Sequence, residues 1–209
     1  VIVLNETNLQ EFDAVVIPND DIVESVLSKF YPAINVIKID CFIRWGKKTV
    51  LSQRAPVADA TISESDFDKE IIRKAFGLAK KSTDWWRQVG AIVFPLNGEP
   101  IHSINHHLPH PEAVNINGDP RSNFKPGENI DLSTAVHAEA GAIAFAARKG
   151  ISLEGASIYV TTLPCPPCAW QIRESGIKKV YYCEGYSLLG VVDIFRGAGI
   201  ELIFVDVSN

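Results

Sequence analysis

Two kinds of hydrophobic spacing alternate along the chain. Short, mostly apolar runs at 1–4, 14–17 and 36–39 have the length and β-branching of strands. Between the last two, Ile22, Val23, Val26, Leu27 and Phe30 recur at the helical period, behind Asp20 or Asp21 as a cap. Residues 1–54 therefore read as a small α/β unit. From residue 66 the signals sharpen. Ser65 precedes a helix with Phe67, Ile71, Ile72, Ala75, Phe76 and Ala79 on one face. Val89 to Leu96 reads as a strand, Asn97-Gly98 as a two-residue hairpin turn and Ile101 to Ile104 as the returning strand. Residues 106–132 lack any period and read as a long polar loop. Ser133 or Thr134 is predicted to cap an alanine-rich helix over 135–148, which Gly150 ends. Strands at 157–162, 179–183 and 201–207 then alternate with helices that start near Cys165 and at 188–196. Strands separated by helices favour parallel pairing, whereas a hairpin is antiparallel. The pattern predicts a mixed five-stranded sheet with helices on both faces, a three-layer α/β/α fold.

Composition changes this picture little. Residues 55–65 carry a proline, small residues and acids without a period, and read as a linker. No apolar run nears the roughly 18 residues that span a membrane. The first residues lack the order of a secretory signal, so a cytoplasmic location is expected. A net charge of −5 argues against a broad nucleic-acid surface and favours a small-molecule partner. Four cysteines in 209 residues are too few for a disulfide framework. Two of them, Cys165 and Cys168, form a Cys-x-x-Cys, which reads as metal-binding or redox.

The surroundings of that pair carry the chemistry. His137-Ala138-Glu139 opens one predicted helix and Pro164-Cys165-Pro166-Pro167-Cys168 opens the next. Cysteines three apart can turn both sulfurs to one point. The 28 residues between His137 and Cys165 suffice for a helix, a turn and a strand, which returns the chain to the same end of the sheet. Two thiolates and an imidazole suit Zn2+ and leave a fourth position for water, whose pKa zinc lowers toward about 7. Glu139 lies too close to His137 in sequence to ligate the same ion readily, and suits proton transfer. A structural zinc site would need a fourth ligand, for which Cys183 at a strand end is poorly suited. A redox pair would leave His137 and Glu139 without a role.

With these two motifs, His137 to Ile143 and Tyr159 to Ala169, the chain resembles the cytidine and deoxycytidylate deaminase superfamily over about residues 66–207. Arg87 to Val93, Ser103 to Pro109 and Cys183 to Tyr186 are similar to the deoxycytidylate branch. The resemblance implies the deaminase fold, catalytic Zn2+ and a homo-oligomer. It implies that Asn105 hydrogen-bonds the base or sugar and that Tyr186 lies near the substrate. The Ala138 backbone is an expected contact for the base. Where relatives often carry Asn two residues after the glutamate, this chain has Gly141. Some relatives hold a second, structural zinc in the region of His106, His107 and His110, against which stands a solvated loop. Arg121 and Lys125 could meet a substrate phosphate, or Asp119 and Pro120 could simply hold a turn. Trp85 and Trp86 read as packing residues rather than as a stacking platform.

The expected reaction is hydrolytic deamination of a cytosine nucleotide, dCMP to dUMP, with His137, Cys165 and Cys168 holding zinc and Glu139 moving the proton. Two alternatives stay open: a deaminase of single-stranded DNA or tRNA, and an inactive zinc-binding regulatory module.

Overall fold

Alternation along the strands decides the layers. The structure of the protein, a computed structural model, describes residues 13–18, 21–39, 61–84, 87–123, 133–185 and 190–207. The expectations for the strand at 1–4, Asp20, Trp85, Trp86, Lys125 and Tyr186 lie outside them, as do the first half of the linker and the start of the helix at 188. The chain divides into two compact units, residues 1–52 and 53–209. The first contains β1 (Val15–Pro18), α1 (Asp21–Phe30) and β2 (Val36–Ile39), with β1 and β2 paired in parallel. Ile17 and Leu27 are buried within it.

The second unit holds a six-stranded mixed sheet. Its members are β3 (Thr61–Ser63), β4 (Gly90–Phe94), β5 (Ile101–Ile104), β8 (Ser157–Thr162), β9 (Lys179–Glu184) and β10 (Glu201–Val205), in the order β3-β10-β9-β8-β4-β5. β3, β10, β9 and β8 run parallel, while β4 is antiparallel to both β8 and β5. The five expected strands are present. The sixth, β3, comes from residues read as linker: Ile62 and its neighbours pair with Ile203 to Val205 along the β10 edge.

Residues of one parity face one core. Ala91, Val93, Ile158, Val160, Val180 and Tyr182 pack with α4 (Ala138–Lys149), α5 (Pro166–Glu174) and α6 (Val191–Gly197). Residues of the other parity, Ile92, Phe94, Tyr159 and Tyr181, pack under α2 (Asp66–Ala79) through Ile71, Ile72 and Ala75. This is the expected three-layer α/β/α arrangement. Ser65 caps α2, its hydroxyl accepting the Asp68 N–H at 3.4 Å. Phe67 is 55% exposed despite its place in the helical pattern, and lies with its ring 6.0 Å from that of Phe94.

Three local expectations change. The hairpin ladder stops at the pair Val93 and Ile101, so the connection is longer than Asn97-Gly98. Pro95 and Pro100 flank it and have no N–H to extend the ladder. The helix expected from 135 begins at Ala138. Ala135–Val136 instead form β7, antiparallel to β6 (His106–His107), and the Ser133 hydroxyl accepts from Ala135 N–H outside the helix. The 106–132 stretch is not a plain loop: it contains β6, α3 (Ala113–Asn117) and a 3-10 turn at Pro120–Asn123. Among the described residues no helix is long and apolar enough to cross a membrane.

Candidate active site

The strand–helix turns at one end of the sheet gather the chemistry. His137 is the N-cap residue of α4 and Cys165 that of α5, both with extended backbone. Pro166 and Pro167 start α5 without losing a hydrogen bond, because the first N–H groups of a helix lack partners within it. Neither side chain makes a capping hydrogen bond. Both turn toward the same point instead. His137 Nδ1 lies 3.3 Å from Cys165 Sγ and 3.4 Å from Cys168 Sγ.

All three donor atoms lie within 4.8 Å of one another. Zinc bound tetrahedrally at about 2.0 Å from nitrogen and 2.3 Å from sulfur would separate such donors by about 3.5 Å. The donor set and its spacing therefore fit zinc. The charges agree. The Cys165 thiol is pushed down to about 5 by the hydrogen bond from Cys168 and by His137, while the same bond and burial push Cys168 up. Two adjacent thiolates repel, so a cation is what allows both to ionise together.

Glu139 lies in the first turn of α4, 4% exposed. Burial, and after it the Cys165 charge, push its carboxyl up to about 7. It can thus hold or release a proton near neutrality. Ala138 between them is fully buried in the core. Cys183 sits across the sheet, against the core under α2, and is no fourth ligand.

Residues 65–184, more than half of the chain, match the family described as the cytidine and deoxycytidylate deaminase zinc-binding region. The chain belongs to this deaminase family. It is 55% identical over 76 residues to the deoxycytidylate deaminase of Enterobacteria phage T4, a stretch covering 35% of this chain and 39% of the phage protein. The match thus spans about two-fifths of that relative's length. It is 32% identical over 150 residues to an uncharacterised deaminase of Aliivibrio fischeri, covering 68% of this chain and 95% of that protein. Among solved structures, the dCMP deaminase of cyanophage S-TIM5 in complex with dCMP and dUMP superposes with a TM-score of 0.52 at 26% identity, covering 68% of this chain and 98% of that one. The three-layer fold is that of these deaminases.

Other expected site residues of this deaminase-family chain fare differently. Asn105 is buried and its amide is engaged by protein. Its oxygen accepts Val89 N–H at 2.8 Å, and its nitrogen donates to Asp84 Oδ2 at 3.0 Å and the Arg87 carbonyl at 2.6 Å. An amide nitrogen has two hydrogens, so no donor is left for a base or sugar. Asn105 ties the start of β4 to the end of β5. Arg121 corrects the phosphate expectation. It is 7% exposed and its guanidinium is held by Asp84 at 3.0 and 3.1 Å and by Asp119 at 2.6 Å. The turn reading holds in addition, since Asp119 also accepts the Arg121 N–H.

The three histidines do not converge. His106 Nδ1 faces the Ile104 carbonyl, His107 Nδ1 faces Thr134 Oγ1, and His110 Nδ1 accepts from Glu112 N–H. Among the described residues His137, Cys165 and Cys168 are the one group spaced to hold a metal ion. Gly141 has a packing reason: a Cβ there would stand 2.7 Å from Ser103 Oγ. Sequence reasoning missed Asp84, whose signal was an acid in a tight Ser82-Thr83-Asp84 turn that could have marked a buried anchor.

Proposed function

We infer that this chain is a zinc-dependent hydrolase that deaminates a cytosine nucleotide, with dCMP to dUMP as the reaction. The observation that carries the reading is the His137, Cys165 and Cys168 donor set with buried Glu139 two residues beyond His137. The named activity of the phage T4 relative and the dCMP and dUMP bound to the cyanophage enzyme support the choice of nucleotide.

When bound by His137, Cys165 and Cys168, zinc supplies Lewis acidity that makes water nucleophilic at neutral pH. The protein's part is proton movement. Glu139 takes a proton from the attacking water and delivers it to the ring nitrogen N3. A second transfer through the same carboxyl protonates the exocyclic nitrogen, which leaves as ammonia. One cytosine and one water become one uracil and one ammonia. The buried surroundings of Glu139 raise its proton affinity and so match it to both transfers. The Ala138 backbone at the start of α4 is the contact we assign to the base.

The test is ammonia release by zinc-loaded protein with dCMP, CMP, dCTP, deoxycytidine and a cytosine-containing single-stranded oligonucleotide, each repeated with Glu139→Ala. Turnover of dCMP that disappears in the variant is the expected result. Turnover of the oligonucleotide alone moves the substrate to nucleic acid. No release with zinc bound overturns the reading.

A further inference from the structure

A buried ionic cluster beside this site has no part in the chemistry above. Arg121 and Asp84 come from segments 37 positions apart, yet meet through two hydrogen bonds of 3.0 and 3.1 Å. Asp119 adds a second carboxylate at 2.6 Å. The side chains are 8%, 3% and 10% exposed. Desolvating three charges offsets most of their attraction, so such a cluster is better placed to fix geometry than to add stability.

What it fixes can be followed bond by bond. Asp84 accepts from Asn105, which ties β4 to β5. Thr83 Oγ1 donates to the Pro111 carbonyl, so the same connection grips the 106–123 segment twice. His107 is fully buried, with Nε2 3.4 Å from Arg121 Nη2 and Nδ1 2.9 Å from Thr134 Oγ1. Leu108 N–H donates to the Thr134 carbonyl at 3.1 Å. Thr134 leads into β7, which pairs His107 with Ala135 and His106 with Val136. The next residue is His137. Its side chain makes no capping bond, so the backbone entering it aims the imidazole.

The geometry points to Arg121 as a positioning residue: by clamping Asp84 and Asp119 beside buried His107 it holds β6 and β7, and so sets the direction from which His137 meets Cys165 and Cys168. This rests on the metal-site reading given above. The expected effect of losing the clamp is that of losing a support behind a metal ligand, about tenfold in affinity.

The test is Zn2+ affinity, measured by competition with a chromophoric chelator on the full chain, alongside circular dichroism. Arg121→Gln and Thr134→Val are each expected to weaken Zn2+ binding about tenfold with the dichroism spectrum retained. Arg121→Lys is expected not to rescue, because an ammonium cannot bond two carboxylates in the same plane. Arg196→Gln, which removes an exposed ion pair, is expected to leave affinity unchanged. Should Arg121→Gln fail to fold, Thr134→Val at an exposed position carries the test. Unchanged Zn2+ affinity in the folded variants, with only a lower melting temperature, overturns the proposal and leaves the cluster a loop anchor. Absence of Zn2+ binding in the unaltered protein overturns the metal site itself, a separate and distinguishable failure.

Discussion

Alanine at position 90 would place a methyl group 2.1 Å from the carbonyl oxygen of Ala75, 3.0 Å from its carbon and 3.1 Å from the nitrogen of Ala79. A carbon and a carbonyl oxygen ordinarily approach to about 3.3 Å. Helix α2 would therefore have to lift from β4 by about 1 Å. The obstacle is backbone, so no rotamer change relieves it. Lifting α2 loosens Ile71, Ile72, Ala75 and Ala79, all buried against the sheet. Overpacking of a core costs about 1–3 kcal/mol where side chains can yield. Here the upper end, about 3 kcal/mol, is expected. At about 2–4 °C per kcal/mol for a domain of this size, the melting temperature should fall by about 6–12 °C. Gly77 supplies the control, because it lies in the same helix and a Cβ there meets nothing within 4 Å. Gly77→Ala should gain up to about 1 kcal/mol of helix propensity and melt higher. Thermal melts followed by circular dichroism compare the two. A Gly90→Ala protein that melts within a degree of the parent, or below which Gly77→Ala melts, would refute the close approach of α2 to β4.

Three further outcomes are expected. Glu139→Gln keeps the shape but cannot shuttle a proton; turnover should fall about 10²- to 10⁴-fold with zinc stoichiometry unchanged, and full turnover in an ammonia assay would remove Glu139 from the mechanism. Tyr159→Phe deletes a 2.7 Å bond to buried Asp68, which keeps the Ser63 hydroxyl; about 1–2 kcal/mol of stability should be lost in denaturant titration while kcat holds, because this pair lies on the α2 face of the sheet. Gly141→Ala trades helix propensity against the Ser103 hydroxyl at 2.7 Å, so it should stabilise a Ser103→Ala background by about 1 kcal/mol and the parent by clearly less; additivity in that cycle would remove the contact.

Much of the fold was legible because it repeats a local rule many times. The alternation in Ala91-Ile92-Val93-Phe94 and Ile158-Tyr159-Val160 marks strands covered on both faces, and the structure places the two parities in two cores. The helical period of Ile71, Ile72, Ala75 and Ala79 survives for the same reason. Boundaries were less legible where a competing bond decides them. The alanine-rich run suggested a helix from 135, yet pairing with His106 and His107 holds Ala135 and Val136 extended. Thr61 to Ser63 resembled linker because three residues carry too little pattern to show a strand, and only the open edge of β10 makes them one.

The candidate site divides in the same way. The sequence by itself picked out the candidate donors and the candidate base: His137, Glu139, Cys165 and Cys168 have few other uses in that spacing, and each sits where a strand or loop enters a helix. Their chemistry is carried by residue type and short-range geometry. The partners of Asn105, His107 and Arg121 were decided only by tertiary structure. Each of these side chains has donors or acceptors that suit a nucleotide as well as they suit a carboxylate, a carbonyl or a hydroxyl. Which they meet depends on segments distant in sequence coming to lie together, as Asp84 and Arg121 do. A buried polar group takes whatever partner the packing leaves beside it, because leaving it unpaired costs more than any preference among partners.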